Sequence, residues 1–137
     1  MRNIVVDSGV FIALFDKSDR YHAQAKQFIR NPQGQLHTNL AVITEVVHLL
    51  DFSQQAQQDF LFWVNQAVEI DENTRGDWAN ILALLQKYAD LPADFADASL
   101  ITLCERLNTR IVASVDSDFT VYRDYARQHF TNVFWGE

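Results

Sequence analysis

The chain has one cysteine, two prolines and four glycines among its 137 residues. A single cysteine excludes an internal disulfide, so stability must come from packing. Cys104 stands at helical spacing with Leu100, Ile101 and Leu107, which predicts a thiol buried in the core. So little glycine and proline excludes flexible linkers and the glycine-rich loops that cradle phosphates. No segment approaches the roughly 18 uninterrupted apolar residues of a membrane span. No basic-then-apolar leader opens the sequence either. A reducing cytoplasm, with no membrane partner, is the expected setting. Positive charge is also scarce: 11 Lys and Arg stand against 18 Asp and Glu, for a net charge of −7. A protein that held nucleic acid by bulk electrostatics would be basic. Any nucleic-acid role here needs a metal, a partner or a second subunit to offset the acids.

Apolar residues make up 48% of the chain, enough for a real core in one domain spanning 1–137. Short β-branched runs alternate with helical stripes. Strands are expected at Asn3 to Val6, Leu36 to Thr38, Val68 to Ile70, Arg110 to Val115 and Thr131 to Trp135. Helices are expected at Ser8 to Phe15, Tyr21 to Ile29, Ala41 to Leu50, Ser53 to Ala67 with Phe60, Leu61, Val64 and Ala67 on one face, Asp71 to Tyr88 with Trp78, Ile81, Leu82 and Leu85 in register, and from Asp94 to Leu107. A turn with a short helix is expected at Phe119 to Tyr125. This alternation predicts a three-layer α/β/α sandwich around a mainly parallel sheet.

Four acids interrupt this apolar frame. Asp7 closes Ile4-Val5-Val6, and Asp116 closes Ile111-Val112-Ala113-Ser114-Val115. Glu45 sits between Ala41-Val42-Ile43-Thr44 and Val46-Val47, and Asp97 precedes Ala98-Ser99-Leu100-Ile101. Acids seldom enter a core unless paired or bound to metal, and no matching set of apolar-flanked Lys or Arg exists. A shared Mg²⁺ or Mn²⁺ is the simplest explanation, and such sites suit phosphoryl chemistry. In parallel sheets ligands gather at the carboxyl ends of strands, which is where Asp7 and Asp116 fall. Each acid also has a plainer reading. Asp7 suits a helix N-cap, Glu45 the outer face of an amphipathic helix, and Asp97 the first turn favoured by the helix dipole. Asp94 reads as the N-cap of the helix that carries Asp97. Asp118 competes with Asp116, the other of the two capping a turn.

Other groups carry less. His48 lies three residues after Glu45, but a single Glu-x-x-His on an α/β chain reads as structural or as a neighbour of the site. His22, His37 and His129 show no ligand spacing. Lys17, Arg20, Lys26 and Arg30 form one basic group, and Arg106, Arg110, Arg123 and Arg127 another. Both are read as solvated surface, with RNA backbone contact as the sharper option. A phosphoaspartate receiver would need a late lysine, but the last one is Lys87. An Asp-nucleophile phosphatase would need an acid at position 9, which is Gly.

Four stretches resemble the PIN-domain nucleases, especially the short bacterial toxins of the VapC type. They are Val5-Val6-Asp7-Ser8-Gly9-Val10-Phe11, Thr38-Asn39-Leu40-Ala41-Val42-Ile43-Thr44-Glu45, Leu91-Pro92-Ala93-Asp94-Phe95-Ala96-Asp97 and Ala113-Ser114-Val115-Asp116-Ser117-Asp118-Phe119. They appear in the family's order and over its length. The resemblance implies a divalent-metal endoribonuclease acting on single-stranded RNA. It carries the catalytic and metal-binding roles onto Asp7, Glu45, Asp97 and Asp116. It also implies a small antitoxin partner and a homodimer; the apolar and aromatic side chains of the Phe60–Ala67 helix read equally as a dimer face or as core. Ser8-Gly9 departs from the family, whose members often carry two hydroxyl residues there. The alternative reading is a non-catalytic binding module on the same fold.

Overall fold

The structure is a computed structural model that describes residues 2–90, 93–116, 122 and 129–136. Strand β1 (Asn3–Val6) leads into helix α1 (Ser8–Phe15), and α2 (His22–Arg30) follows a polar turn. Next come β2 (Gln35–Asn39), α3 (Leu40–Leu49), α4 (Gln54–Ala67) and β3 (Glu69–Asp71). A 3₁₀ turn (Thr74–Asp77) runs into α5 (Trp78–Lys87), followed by α6 (Phe95–Arg106), β4 (Ile111–Ala113) and β5 (Thr131–Asn132). The expected turn and helix at Phe119 to Tyr125 lies, apart from Tyr122, outside the described residues. Among the described residues no helix is long and apolar enough to cross a membrane.

The five strands form one parallel sheet in the order β3-β2-β1-β4-β5. Ile4, Val5 and Val6 are all buried, so both faces of the central strand are covered. The chain leaves β1 toward β2 on one side and returns to β4 on the other. The crevice at the carboxyl ends of β1 and β4 is therefore a topological switch point, where ligands collect in open parallel sheets. Asp7 and Ser114 are the first residues past these two strands. The Asp7 amide still donates to the Ala113 carbonyl at 2.9 Å, which holds the two strand ends together.

Helix α6 is buried on nearly every side, from Ala96 through Cys104, as its run of small and apolar residues requires. Cys104 is fully buried, as its spacing predicts. Asp94 caps α6, and Ser53 caps α4 by accepting from the Ala56 amide at 3.1 Å.

Four expectations need correction. Asp71 to Tyr88 is not one helix. Asp71 completes β3 opposite Asn39, and the helix begins only at Trp78, after the 3₁₀ turn. The bidentate pairing of Arg106 with Asp71, at 2.9 and 2.7 Å, holds that strand end to α6. Trp78 and Leu82 do not share the inward face of α5. Ile81 and Leu84 point inward, and the other two are more than half exposed. On α4, Phe60 and Val64 enter the core, whereas Leu61 and Ala67 are exposed. Strands β4 and β5 stop early, because the Asn132 side chain takes over pairing with both backbone groups of Ser114, at 3.1 and 2.8 Å.

Gly9 has a packing reason. A Cβ there would lie 2.3 Å from Cγ2 of the half-buried Val115, so the hydroxyl residue common in the family has no room. Valine is stiff at χ1 and cannot easily yield. Gly9→Ala is expected to cost about 1–3 kcal/mol through overpacking, less up to about 1 kcal/mol regained in helix propensity. Adding Val115→Ala should recover most of the loss. Urea melts of the single and double variants read this directly. An unaffected single variant would contradict the contact.

Candidate functional site

Asp7, Glu45 and the Asp116 backbone are joined at the switch point through the hydroxyls of Ser8 and Ser114, and Asp97 stands within electrostatic reach of Asp7. Asp7 is the N-cap of α1 and is only 6% exposed. One of its oxygens accepts from the Ser8 amide at 2.7 Å. The other accepts from the Ser114 hydroxyl at 3.1 Å. The same Ser114 oxygen receives the Asp116 amide at 2.9 Å, so one buried hydroxyl ties the end of β1 to the loop after β4. Ser8 turns its own hydroxyl to Glu45 Oε1 at 2.8 Å. Glu45 rides on α3 and is half-buried, so Asp7, not Glu45, has the strongest burial of the set.

Asp97 lies in the first turn of α6 within a capping box. The Asp94 side chain accepts the Asp97 amide at 2.9 Å, and Asp97 Oδ2 accepts the Asp94 amide at 3.4 Å. That same Oδ2 accepts the hydroxyl of fully buried Tyr122 at 3.2 Å. Helices α3 and α6 are locked together beneath these acids. Asn39, buried at the start of α3, accepts the Val42 amide at 3.0 Å and donates to Ser99 of α6 at 2.9 Å. Ser99 passes its own proton to the Ala96 carbonyl at 2.7 Å.

Charge is left unbalanced at this point. Burial pushes the Asp7 carboxyl up to about 6, against the lowering effect of the Ser8 and Ser114 hydrogen bonds, with Glu45 and Asp116 adding to the rise. Burial likewise pushes Asp97 up to about 7, helped by the charges of Asp7 and Asp94. Two ion-paired acids lie elsewhere. Asp71 and Asp77 share Arg106, with contacts of 2.7 and 2.9 Å. Arg106 therefore leaves the basic surface group expected from the sequence, and Arg123 and Arg127 lie outside the described residues.

Asp116 is exposed at the rim, and Asp118 lies outside the described residues, so the choice between them stays open. Asp94 serves as the cap. His48 is exposed on the last turn of α3. His22 and His37 bond the Ala13 carbonyl at 2.7 Å and Asn3 Oδ1 at 2.9 Å. Among the described residues, no group of three or more Asp, Glu, His or Cys side chains is gathered closely enough to hold a metal ion. Sequence reasoning overlooked Ser8, Ser114, Asn39 and Tyr122. Ser8 and Ser114 carried a signal, since each is a hydroxyl residue inside an apolar stretch and close to an acid. The contact from Tyr122 to Asp97 had none.

No curated protein matches the chain in sequence. Among solved structures it is similar to VapC20 of Mycobacterium tuberculosis, a toxin described as cleaving the sarcin–ricin loop. That likeness has a TM-score of 0.74 at 18% identity and covers 86% of this chain and 93% of that one. The fold is thus shared across nearly the full length of both. The model of the PIN domain matches residues 4–125, which takes in Asp7, Glu45, Asp97 and Asp116. The chain belongs to the PIN-domain family.

Proposed function

We propose that the protein is a metal-dependent endoribonuclease that cleaves single-stranded RNA, the toxin of a toxin–antitoxin pair. The observation that carries this reading is the like-charged set around buried Asp7, whose carboxyl burial pushes up to about 6, with Glu45 and Asp116 adding to the rise. Membership of the PIN family and the likeness to a toxin that cleaves RNA support it.

The donor set fits a hard divalent cation. Mg²⁺ takes few protein carboxylates and keeps several waters, so an open group of acids suits it better than a closed cage. Asp7 and Asp97 would hold the ion, with Glu45 and Asp116 as further ligands, direct or through water. Mg²⁺ or Mn²⁺ bound there supplies Lewis acidity to the phosphodiester and a water made acidic enough to attack it. The chain's own residues do the positioning. Ser114 fixes Asp7 and the Asp116 backbone, Ser8 links Asp7 to Glu45, and Tyr122 with Asp94 orients Asp97. Neutralising the acids also resolves the conflict between a net charge of −7 and an anionic substrate. An antitoxin and a second copy of this chain belong to the same reading. The exposed Leu61 and Phe62 of α4 offer an apolar surface for either.

Purified protein is expected to cut single-stranded RNA in Mg²⁺ or Mn²⁺ and to stop in excess chelator, with recovery when metal is restored. Cleavage that persists in chelator would remove the metal. Ser114→Ala strips a hydroxyl that supports a ligand and is expected to lower the rate or metal affinity by about 10–100-fold, the usual cost of an outer-shell loss. An unchanged metal titration in that variant would remove Ser114 from the support of Asp7.

A further inference from the structure

An aromatic surface begins beside the acids and is used by nothing described above. Trp78 opens α5 and Phe95 opens α6, and they are 56% and 37% exposed. Their ring centroids lie 5.6 Å apart with planes tilted by 57°. The guanidinium of exposed Arg75 stands 5.9 Å from the centre of the Trp78 ring. Leu40, at the start of α3, and Phe95 line one shallow concavity of about 270 Å³, with Thr44, Thr74, Asp71 and Glu72. Asp71 is already neutralised by Arg106.

Phe95 follows Asp94 and shares the first turn of α6 with Asp97, so the helix that carries an acid of the site also carries one ring of the pair. Single-stranded RNA offers flat base faces and anionic phosphates. Protein sites bind it with exposed rings for the bases and guanidinium groups for stacking or phosphate. The acids supply neither feature, whereas the Trp78–Phe95–Arg75 group supplies both. A purely apolar protein surface would match the rings but would leave the Arg75 donors without an anion.

We propose that Trp78, Phe95 and Arg75 form a base-stacking subsite for a nucleotide of single-stranded RNA next to the cleavage point, with Arg75 meeting its phosphate. Its place in the reaction rests on the nuclease reading, but RNA binding is measured without cleavage.

The test is fluorescence anisotropy of an end-labelled, mixed-sequence single-stranded RNA 12-mer on the otherwise wild-type protein, with Ca²⁺ in place of Mg²⁺ as the oxygen-ligated cation, at fixed salt. Adding Trp78→Ala should raise Kd about tenfold or more, the range seen when one base loses its aromatic partner. Trp78→Phe keeps a ring and should stay within a few-fold of the parent. Arg75→Gln should weaken binding and reduce the salt dependence by about one phosphate contact. Leu82→Ala, on the same helix but outside the ring pair, should change nothing. Unchanged affinity in Trp78→Ala overturns the subsite, as does a parent that binds no RNA. A Trp78→Ala variant that turns a dimer into a monomer in sedimentation, with RNA affinity per chain intact, assigns the surface to a second copy and also overturns it. If Trp78→Ala loses RNA while wild type never cleaves, the subsite stands and the nuclease reading falls.

Discussion

Asp7→Asn is expected to lower RNA cleavage by about a thousandfold or more, since losing ~4 kcal/mol of metal-borne stabilisation would remove three decades of rate. The amide is nearly isosteric. Its oxygen can still accept the Ser8 amide, and its nitrogen can donate to the Ser114 hydroxyl, so the cap and the strand ends should remain joined. What would go is the charge proposed to hold the ion. Asp97→Asn should behave alike, because its capping-box acceptor survives in the amide. Initial rates at saturating Mg²⁺, beside circular dichroism of each variant, check both. Near-wild-type turnover in a folded Asp7→Asn protein would exclude Asp7 from the site. Pairing Asp116→Asn with Asp118→Asn in the same assay decides which acid of the fourth stretch takes part.

Without metal, the same substitutions should stabilise the protein at alkaline pH. Asp7 and Asp97 have folded pKa values of about 6 and about 7, above the ordinary 3.8. Between pH 4 and 7 the folded chain therefore binds more protons than the unfolded chain. Stability must fall as pH rises through that window and stay low above it. Below pH 4 both states are protonated and the difference vanishes. In chelator at pH 8, Asp7→Asn is expected to melt above wild type by about 3–5 °C for each kcal/mol relieved. At pH 4 the two should melt together. Added Mg²⁺ should close the gap by stabilising wild type as RT ln(1 + [L]/Kd), about 2.7 kcal/mol at a hundred times Kd. A variant that melts below apo wild type at pH 8 would mean that the acids are ordinary caps.

The parts of the molecule that were legible in the sequence are those governed by local rules. Ile4–Val6 is an unbroken β-branched run, Asp94 precedes a helix with Asp97 three residues on, and Ser53 stands before a Gln-rich helix; each formed as expected. The parallel sheet followed from the alternation, and with it the meeting of Asp7 and the residues after β4. Errors arose where tertiary contacts override periodicity. Trp78 and Leu82 fit an apolar stripe by spacing, but the core takes Ile81 and Leu84, a rotation of α5 set by its packing on α6. Asp71 looked like a helix start until β2 and Arg106 claimed it. Within the site, acidic identity was readable, because a carboxylate in an apolar run is anomalous in itself. Relative burial was not, for Glu45 is flanked by more apolar residues than Asp7 yet is less covered. The supporting hydroxyls depend on pairs such as Ser114 with Asp7 and Tyr122 with Asp97, which are distant in sequence and leave no spacing to read.

The cation is the point on which the chemistry turns, and Mn²⁺ can be counted without any RNA. Free Mn²⁺ gives a six-line electron paramagnetic resonance spectrum that is lost on binding. Titration of the wild-type chain at pH 7.5 should show saturable loss of that signal, reversed by Mg²⁺, and Asp7→Asn should leave the signal close to that of buffer. A wild-type chain that leaves the Mn²⁺ signal untouched, or an Asp7→Asn protein that binds as tightly as wild type, would contradict a metal held by these carboxylates.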